Sequence, residues 1–203
     1  MMKLSRDFYN RDTLIVAKEL LGKILVVNKD NKICKSKIVE VEAYMGFMDK
    51  AAHSYNNRRT KRTEVMYGKP GFSYVYFIYG LYYCMNVVTR EEGVPQAVLI
   101  RAVEPLENLE AMSFRRFKKG YDELSNREKI NITNGPSKLC MAMGIDKDLN
   151  GLDLLEDDIF IEEGIKESFE VSASKRIGID YAEEAKDYPW RFYIKGNKYV
   201  SKK

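Results

Sequence analysis

The sequence predicts an α+β fold built on a largely antiparallel sheet, and two observations carry that expectation. Strand-like segments crowd the first half of the chain and helical ones follow them, so the strand-helix alternation of parallel units is missing. With 203 residues, 45% of them hydrophobic, the chain is long enough for one sizeable core and too short to argue for two. One domain over residues 1–203 is expected.

Asp12 and Thr13 stand where they can cap a helix whose apolar residues Leu14, Ala17, Leu20 and Leu21 recur at helical spacing, and Gly22 stops it. Strand character follows at 24–27 and again, with near-strict alternation, at 37–44. The aromatic stretch 74–88 reads as two strands with Tyr79-Gly80 at the bend of a hairpin, where glycine supplies the positive φ of a tight turn. A further strand covers 97–102. Pro105 suits the first turn of a second helix that runs to about Lys119 and ends at Gly120. Asn134-Gly135-Pro136 signals a turn, after which Ser137 caps a short third helix through Ala142. Acidic residues from Asp153 to Glu163 contrast with the basic run Arg58 to Arg62, so two faces of opposite sign are expected.

Composition narrows the function classes. Lys plus Arg number 34 against 30 for Asp plus Glu, a surplus of +4 that permits a polyanionic partner without requiring one. Residues 1–10 contain no apolar leader core, and no stretch approaches the roughly 18 uninterrupted apolar residues of a membrane span. The expected location is the cytoplasm, at the nucleoid, in a bacterium, or the nucleus in a eukaryote. Cys34, Cys84 and Cys140 are odd in number and far apart, and His53 is the sole histidine. That argues against a disulfide framework, a structural zinc site and a His-rich metal centre. No metal and no cofactor are expected.

In Ile38-Val39-Glu40-Val41-Glu42-Ala43-Tyr44, alternation turns Val39, Val41 and Ala43 one way and Glu40, Glu42 and Tyr44 the other. Such a face is either the solvated side of a half-buried strand or a pair of carboxylates at work. His53 lies nine residues beyond Tyr44, and a lone histidine is more often structural than functional. In the aromatic stretch, Tyr74 and Tyr76 share one face while Tyr79 stands at the hairpin tip. Most of these rings suit a core, but a polar-ended aromatic at an exposed tip also suits wedging between nucleic-acid bases. Arg58, Arg59, Lys61 and Arg62 form either a solvated loop or a contact to a phosphate backbone.

Taken together these stretches resemble the alkyladenine, or 3-methyladenine, DNA glycosylase family. The likeness runs from Arg11-Asp12-Thr13-Leu14 to Trp190-Arg191-Phe192-Tyr193. Between these ends it includes residues 38–44, Ala52-His53-Ser54, Tyr74-Val75-Tyr76, Ile78-Tyr79-Gly80, Met85-Asn86, residues 99–105, Asn134-Gly135-Pro136-Ser137-Lys138-Leu139 and Arg176-Ile177-Gly178-Ile179-Asp180. Val41 departs from a common threonine and Phe47 from a common proline.

The resemblance implies a curved sheet with surrounding helices and a DNA-inserting β-hairpin, working on double-stranded DNA that contains damaged purines; a monomer is the default expectation for a protein that searches DNA. It implies a monofunctional enzyme that flips alkylated purines, with deaminated purines as an extension of its range, and hydrolyses the N-glycosidic bond with water. Glu42 then corresponds to the general base and Arg101 to the side chain that helps hold the water. Tyr44, His53 and Tyr76 correspond to the walls around the flipped base, Leu99 to an apolar contact beneath it, and Asn86 to the residue that crowds out the amino group of guanine. Tyr79 corresponds to the filler of the vacated stack, and Lys138 joins the basic run as a DNA contact. Two other readings stay open: a non-catalytic nucleic-acid-binding module of the same fold, and a sugar hydrolase using Glu40 and Glu42 about 7 Å apart on one strand face.

Overall fold

The computed structural model describes residues 2–78 and 80–202. Its strands are β1 (Ile24–Lys29), β2 (Lys32–Tyr44), β3 (Ser73–Ile78), β4 (Tyr82–Thr89), β5 (Gln96–Glu107), β6 (Ile159–Glu162), β7 (Val171–Ser174) and β8 (Arg191–Ile194). They form one eight-stranded sheet with the spine β3-β4-β5-β2-β1-β6. Every pairing is antiparallel, and with the helices this makes the fold α+β, as the element order predicts. The sheet curls into a half-barrel.

One strand organises the rest. The first half of β2 pairs with β1, from Lys32 to Lys37, and its second half pairs with β8, from Glu40 to Glu42, while β5 runs along its other edge. The exchange of partners falls at two bulges. Ile38 is opposite Val103 but Glu40 is opposite Ala102, leaving Val39 extra on β2; Val41 is opposite Ile100, leaving Arg101 extra on β5. Bulges bend a strand and re-aim side chains, and here they turn Arg101 onto both glutamates.

The first predicted helix is present as α2 (Thr13–Leu20), following a single turn, α1 (Arg6–Tyr9). The Asp12 carboxylate accepts the N–H groups of Leu14 and Ile15, and Gly22 turns the chain at φ +83°. Its buried Val16, Ala17 and Leu20 pack onto the sheet, each large aliphatic chain contributing about 1.5–3 kcal/mol by burial. The same core cluster takes Met112 from α3 (Leu109–Phe117) and Leu139 and Met143 from α5 (Pro136–Met143), while α4 (Asn126–Asn131) between them buries no residue.

Several boundaries differ from the sequence expectation. Pro105 does not begin a helix: it is buried in β5 opposite Ser36, beside a register shift, a place where a strand tolerates proline. The helix begins after Asn108 instead and ends at Lys118 in a left-handed conformation, before Gly120 is reached. Ser137 is not a cap, because Pro136 occupies the first helical position and Gly135 precedes it. α4 carries a capping box between Ser125 and Glu128 that the sequence reading passed over. Strands also return after the helices: β6 lies inside the acidic segment, with Ile159 and Ile161 buried, and β7 and β8 close the sheet. The acidic segment is matched by N-terminal cations, through Arg6 to Asp153, Lys3 to Asp157 and Lys23 to Glu163. No helix among the described residues is long and apolar enough to cross a membrane.

Candidate active site

A cavity of about 370 Å³ opens between the end of β2, the paired strands β3 and β4, β5 and the start of α5. Tyr44, His53, Tyr76, Asn86, Leu99 and Arg101 all line it, joined by Tyr74, Ser137 and the segment 177–179. Its size sits at the small end of ligand pockets. Asn86 lies opposite both Tyr74 on β3 and Leu99 on β5, so the three-strand ladder fixes these side chains relative to one another. The Asn86 amide donates to the Tyr74 carbonyl at 3.2 Å.

The two glutamates of β2 are both fully buried, which removes the solvated-face reading. Their surroundings differ. Glu40 accepts from Arg101 Nε at 3.1 Å, Arg191 Nε at 2.7 Å, the Ser201 N–H at 2.6 Å and the Ser201 hydroxyl at 2.8 Å. It is absorbed by structure and does not line the cavity. Glu42 does not line the cavity either, but it lies directly behind residues that do. It accepts from the Tyr44 hydroxyl at 2.9 Å and the Ile177 N–H at 2.7 Å, and Arg101 Nη1 lies 3.2 Å from Oε2. All three of these partners, Tyr44, Ile177 and Arg101, themselves line the cavity.

Burial, and then the Glu42 charge, raise the Tyr44 hydroxyl well above its ordinary pKa, so it stays a donor. Burial works against the Arg101 charge, but Glu42 and Glu40 outweigh it and hold the guanidinium above its usual range. Burial likewise raises Tyr76, and it takes Cys84 up to about 11, which leaves that lining thiol protonated. His53 is pushed down to about 4, by burial first and then by Arg62 and Arg58. It is a neutral ring at physiological pH. Its Nδ1 shares a hydrogen bond with the Tyr74 hydroxyl at 2.9 Å, and it meets Tyr76 edge-on with centroids 4.6 Å apart.

The basic run borders the mouth through a hollow lined by His53, Arg58 and Arg62. Arg62 lies over the Tyr76 ring at 5.3 Å and donates to the Phe77 carbonyl at 3.3 Å. Arg58 and Lys61 are exposed, whereas Arg59 is tied to Glu64 by a two-pronged bridge at 2.6 and 3.0 Å. Lys138 stands one residue beyond the cavity-lining Ser137 and donates to Asn131 and Asn134. Tyr79 lies outside the described residues.

Sequence reasoning assigned no role to Asp49 or Arg176, which form a fully buried pair behind Tyr44. It also missed the Ile177 N–H on Glu42 and the Tyr74 hydroxyl on His53. The signal for Arg176 was present in the stretch Arg176-Ile177-Gly178-Ile179-Asp180; nothing in the spacing marks Asp49.

Comparison with known proteins gives a consistent picture. The sequence signature described as methylpurine-DNA glycosylase matches residues 7–198. The chain is 62% identical over 200 residues to a protein of Clostridium acetobutylicum named "Putative 3-methyladenine DNA glycosylase", covering 98% of each chain. Proteins of the same name from Clostridium novyi and Desulfitobacterium hafniense are 61% and 59% identical over 203 residues, with full coverage on both sides.

Proposed function

The chain belongs to the methylpurine-DNA glycosylase family, and on that premise we propose that it removes alkylated purines, 3-methyladenine foremost, from double-stranded DNA by hydrolysing the N-glycosidic bond. The observation that carries this reading is Glu42: a fully buried carboxylate, held at three points, against an aromatic cavity of purine scale.

In this reading the damaged nucleotide swings out of the duplex into the cavity, its base enclosed by Tyr44, His53 and Tyr76 with Leu99 beneath. A purine alkylated at N3 or N7 is cationic, and electron-rich ring faces attract it by about 0.5–2 kcal/mol. Flipping costs a few kcal/mol, least for bases already weakly paired. Asn86 fills the space that the exocyclic amino group of guanine would need. A water bound on the cavity side of the Glu42–Arg101 pair attacks C1′ of the sugar and passes its proton to Glu42; the C1′–N bond breaks, and its electron pair leaves with the base. A cationic base departs neutral and needs no proton. A deaminated purine must be protonated on leaving, so its excision is expected to be slower. With water as nucleophile its oxygen ends on C1′ and no covalent bond joins enzyme and sugar, which makes the enzyme monofunctional and leaves an abasic site.

Outside the cavity, the exposed Arg58 and Lys61, with Arg62, meet the phosphate backbone. Lys138 is the corresponding contact on the α5 side. Glu40 is the weaker candidate for the base, since of its partners only Arg101 lines the cavity, whereas Tyr44, Ile177 and Arg101, the partners of Glu42, all do.

The test is Glu42→Gln in single-turnover excision from methylated duplex DNA. We expect binding to persist and the rate to fall by about 10² to 10⁴, the usual range for a lost general base. A variant that keeps more than a tenth of the wild-type rate would remove Glu42 from this role.

A further inference from the structure

Behind the cavity wall lies a stack that none of the roles above accounts for. The Arg176 guanidinium is fully buried, and its carbon lies 4.8 Å from the centre of the Tyr44 ring and 5.0 Å from the centre of the Trp190 ring. Trp190 meets Tyr188 in turn, with centroids 4.5 Å apart and the ring planes tilted by 40°. Arg176 does not line the base cavity and Tyr44 does, so Tyr44 stands between the cation and the space for the base.

The fork of Arg176 closes on Asp49 at 2.5 and 2.8 Å, and the same nitrogens donate to the carbonyls of Ala43, at 2.9 Å, and Ala185, at 3.1 Å. Asp49 is itself pinned by the N–H groups of Met45 and Ala51. Ala43 is the residue between Glu42 and Tyr44, and Ile177, whose N–H holds Glu42, follows Arg176 in the chain. One side chain therefore ties together the strand that carries the carboxylate, the loop that donates to it and the ring that walls the cavity. Its Nε is buried without a partner among the described residues, a cost that packing alone gives no reason to bear.

We propose that Arg176 is a positioning residue for base excision: clamped by Asp49 and backed by Trp190, it fixes the Tyr44 ring plane and the Ile177 donor so that Glu42 faces the reacting centre. A planar fork is needed for this, and a lysine ammonium cannot supply it. The inference rests on the glycosylase reading above.

Arg176→Lys keeps the charge and removes the fork. Trp190→Leu removes the outer plate at a half-buried position, where the fold is expected to survive, and Trp190→Phe restores a ring. Each is measured for its affinity for a duplex containing a stable tetrahydrofuran abasic analogue, and for its single-turnover excision rate on methylated DNA.

We expect Arg176→Lys to lose rate by roughly 10- to 100-fold, as for slight misalignment of reacting groups. Trp190→Leu should lose roughly three- to tenfold, within the range of one cation–π contact, and Trp190→Phe should recover most of that. Analogue affinity should stay within about threefold of wild type for all three, a split between binding and chemistry that general loss of structure does not produce. Folded variants that excise at the wild-type rate would overturn the inference, as would equal losses in affinity and rate. If Arg176→Lys does not fold, the contrast between Trp190→Leu and Trp190→Phe decides by itself. Wild-type protein that releases no methylated base would instead refute the glycosylase reading, and this inference with it.

Discussion

Glu40 and Glu42 are two residues apart on one strand and equally buried, yet their surroundings give them different work. Glu40 closes a chain of alternating charges, Arg191, Glu40, Arg101 and Glu42, whose contacts lie between 2.7 and 3.2 Å. Breaking one member of a buried charge network typically costs about 3–5 kcal/mol. Glu40→Gln should therefore lower the melting temperature by many degrees, and a change of less than about 1 kcal/mol in denaturant unfolding would contradict the network's structural role. His53 makes a separate prediction. Its pKa falls from 6.5 to about 4 on folding, so the unfolded chain binds the proton more readily between those values. The stability it contributes is full above about pH 6.5 and is lost as pH falls toward 4, up to about 3 kcal/mol in all. Unfolding midpoints from pH 7 to 4 should show that slope, and His53→Gln should flatten it. Alternation in the sequence picked out the face shared by both glutamates and Tyr44. It could not distinguish the glutamates, because the distinction comes from donors at Ile177, Arg191 and Ser201, separated from them by 135 to 161 residues.

At the scale of elements, the parts that were legible are those with strong local patterns: the α2 helix with its Asp12 cap, the alternating half of β2, and the aromatic pair β3 and β4. Pro105 was misread because a proline before a helical pattern favours a first turn, whereas here the strand pairing with β2 overrides that preference. β6, β7 and β8 span four residues each, too short for alternation to stand out, and are held by their partners rather than by their own propensity. The basic loop beside β3 divides in the same way between pattern and context. As a run it looks uniform, but Arg59 is committed to Glu64 while Arg58 and Lys61 remain exposed. Each phosphate contact contributes about 0.9 to the slope of log affinity against log salt on duplex DNA. Neutralising Arg58, Lys61 and Arg62 together should reduce that slope by up to about 2–3 for undamaged duplex, and Arg59→Ala should change it far less. An unchanged slope for the triple variant would make the run a solvated loop.

For the whole molecule, the curled sheet brings the end of β2, the middle of β5 and the segment after β7 to one place, and the site exists only where these meet. That is why the resemblance to a glycosylase family located the site when patterning alone left it open between a solvated strand and a catalytic pair. Tyr79 belongs to this level too, but it lies outside the described residues, so its expected place in the base stack remains a proposal. The central claim is that this cavity cleaves the bond between sugar and alkylated purine with Glu42 as base. The most direct test is chromatography of the bases released from DNA treated with a methylating agent, comparing wild type with Glu42→Gln. Free 3-methyladenine is expected from the wild type and at least about 100-fold slower release from the variant; no released base from the wild type, or equal release from both proteins, would contradict this.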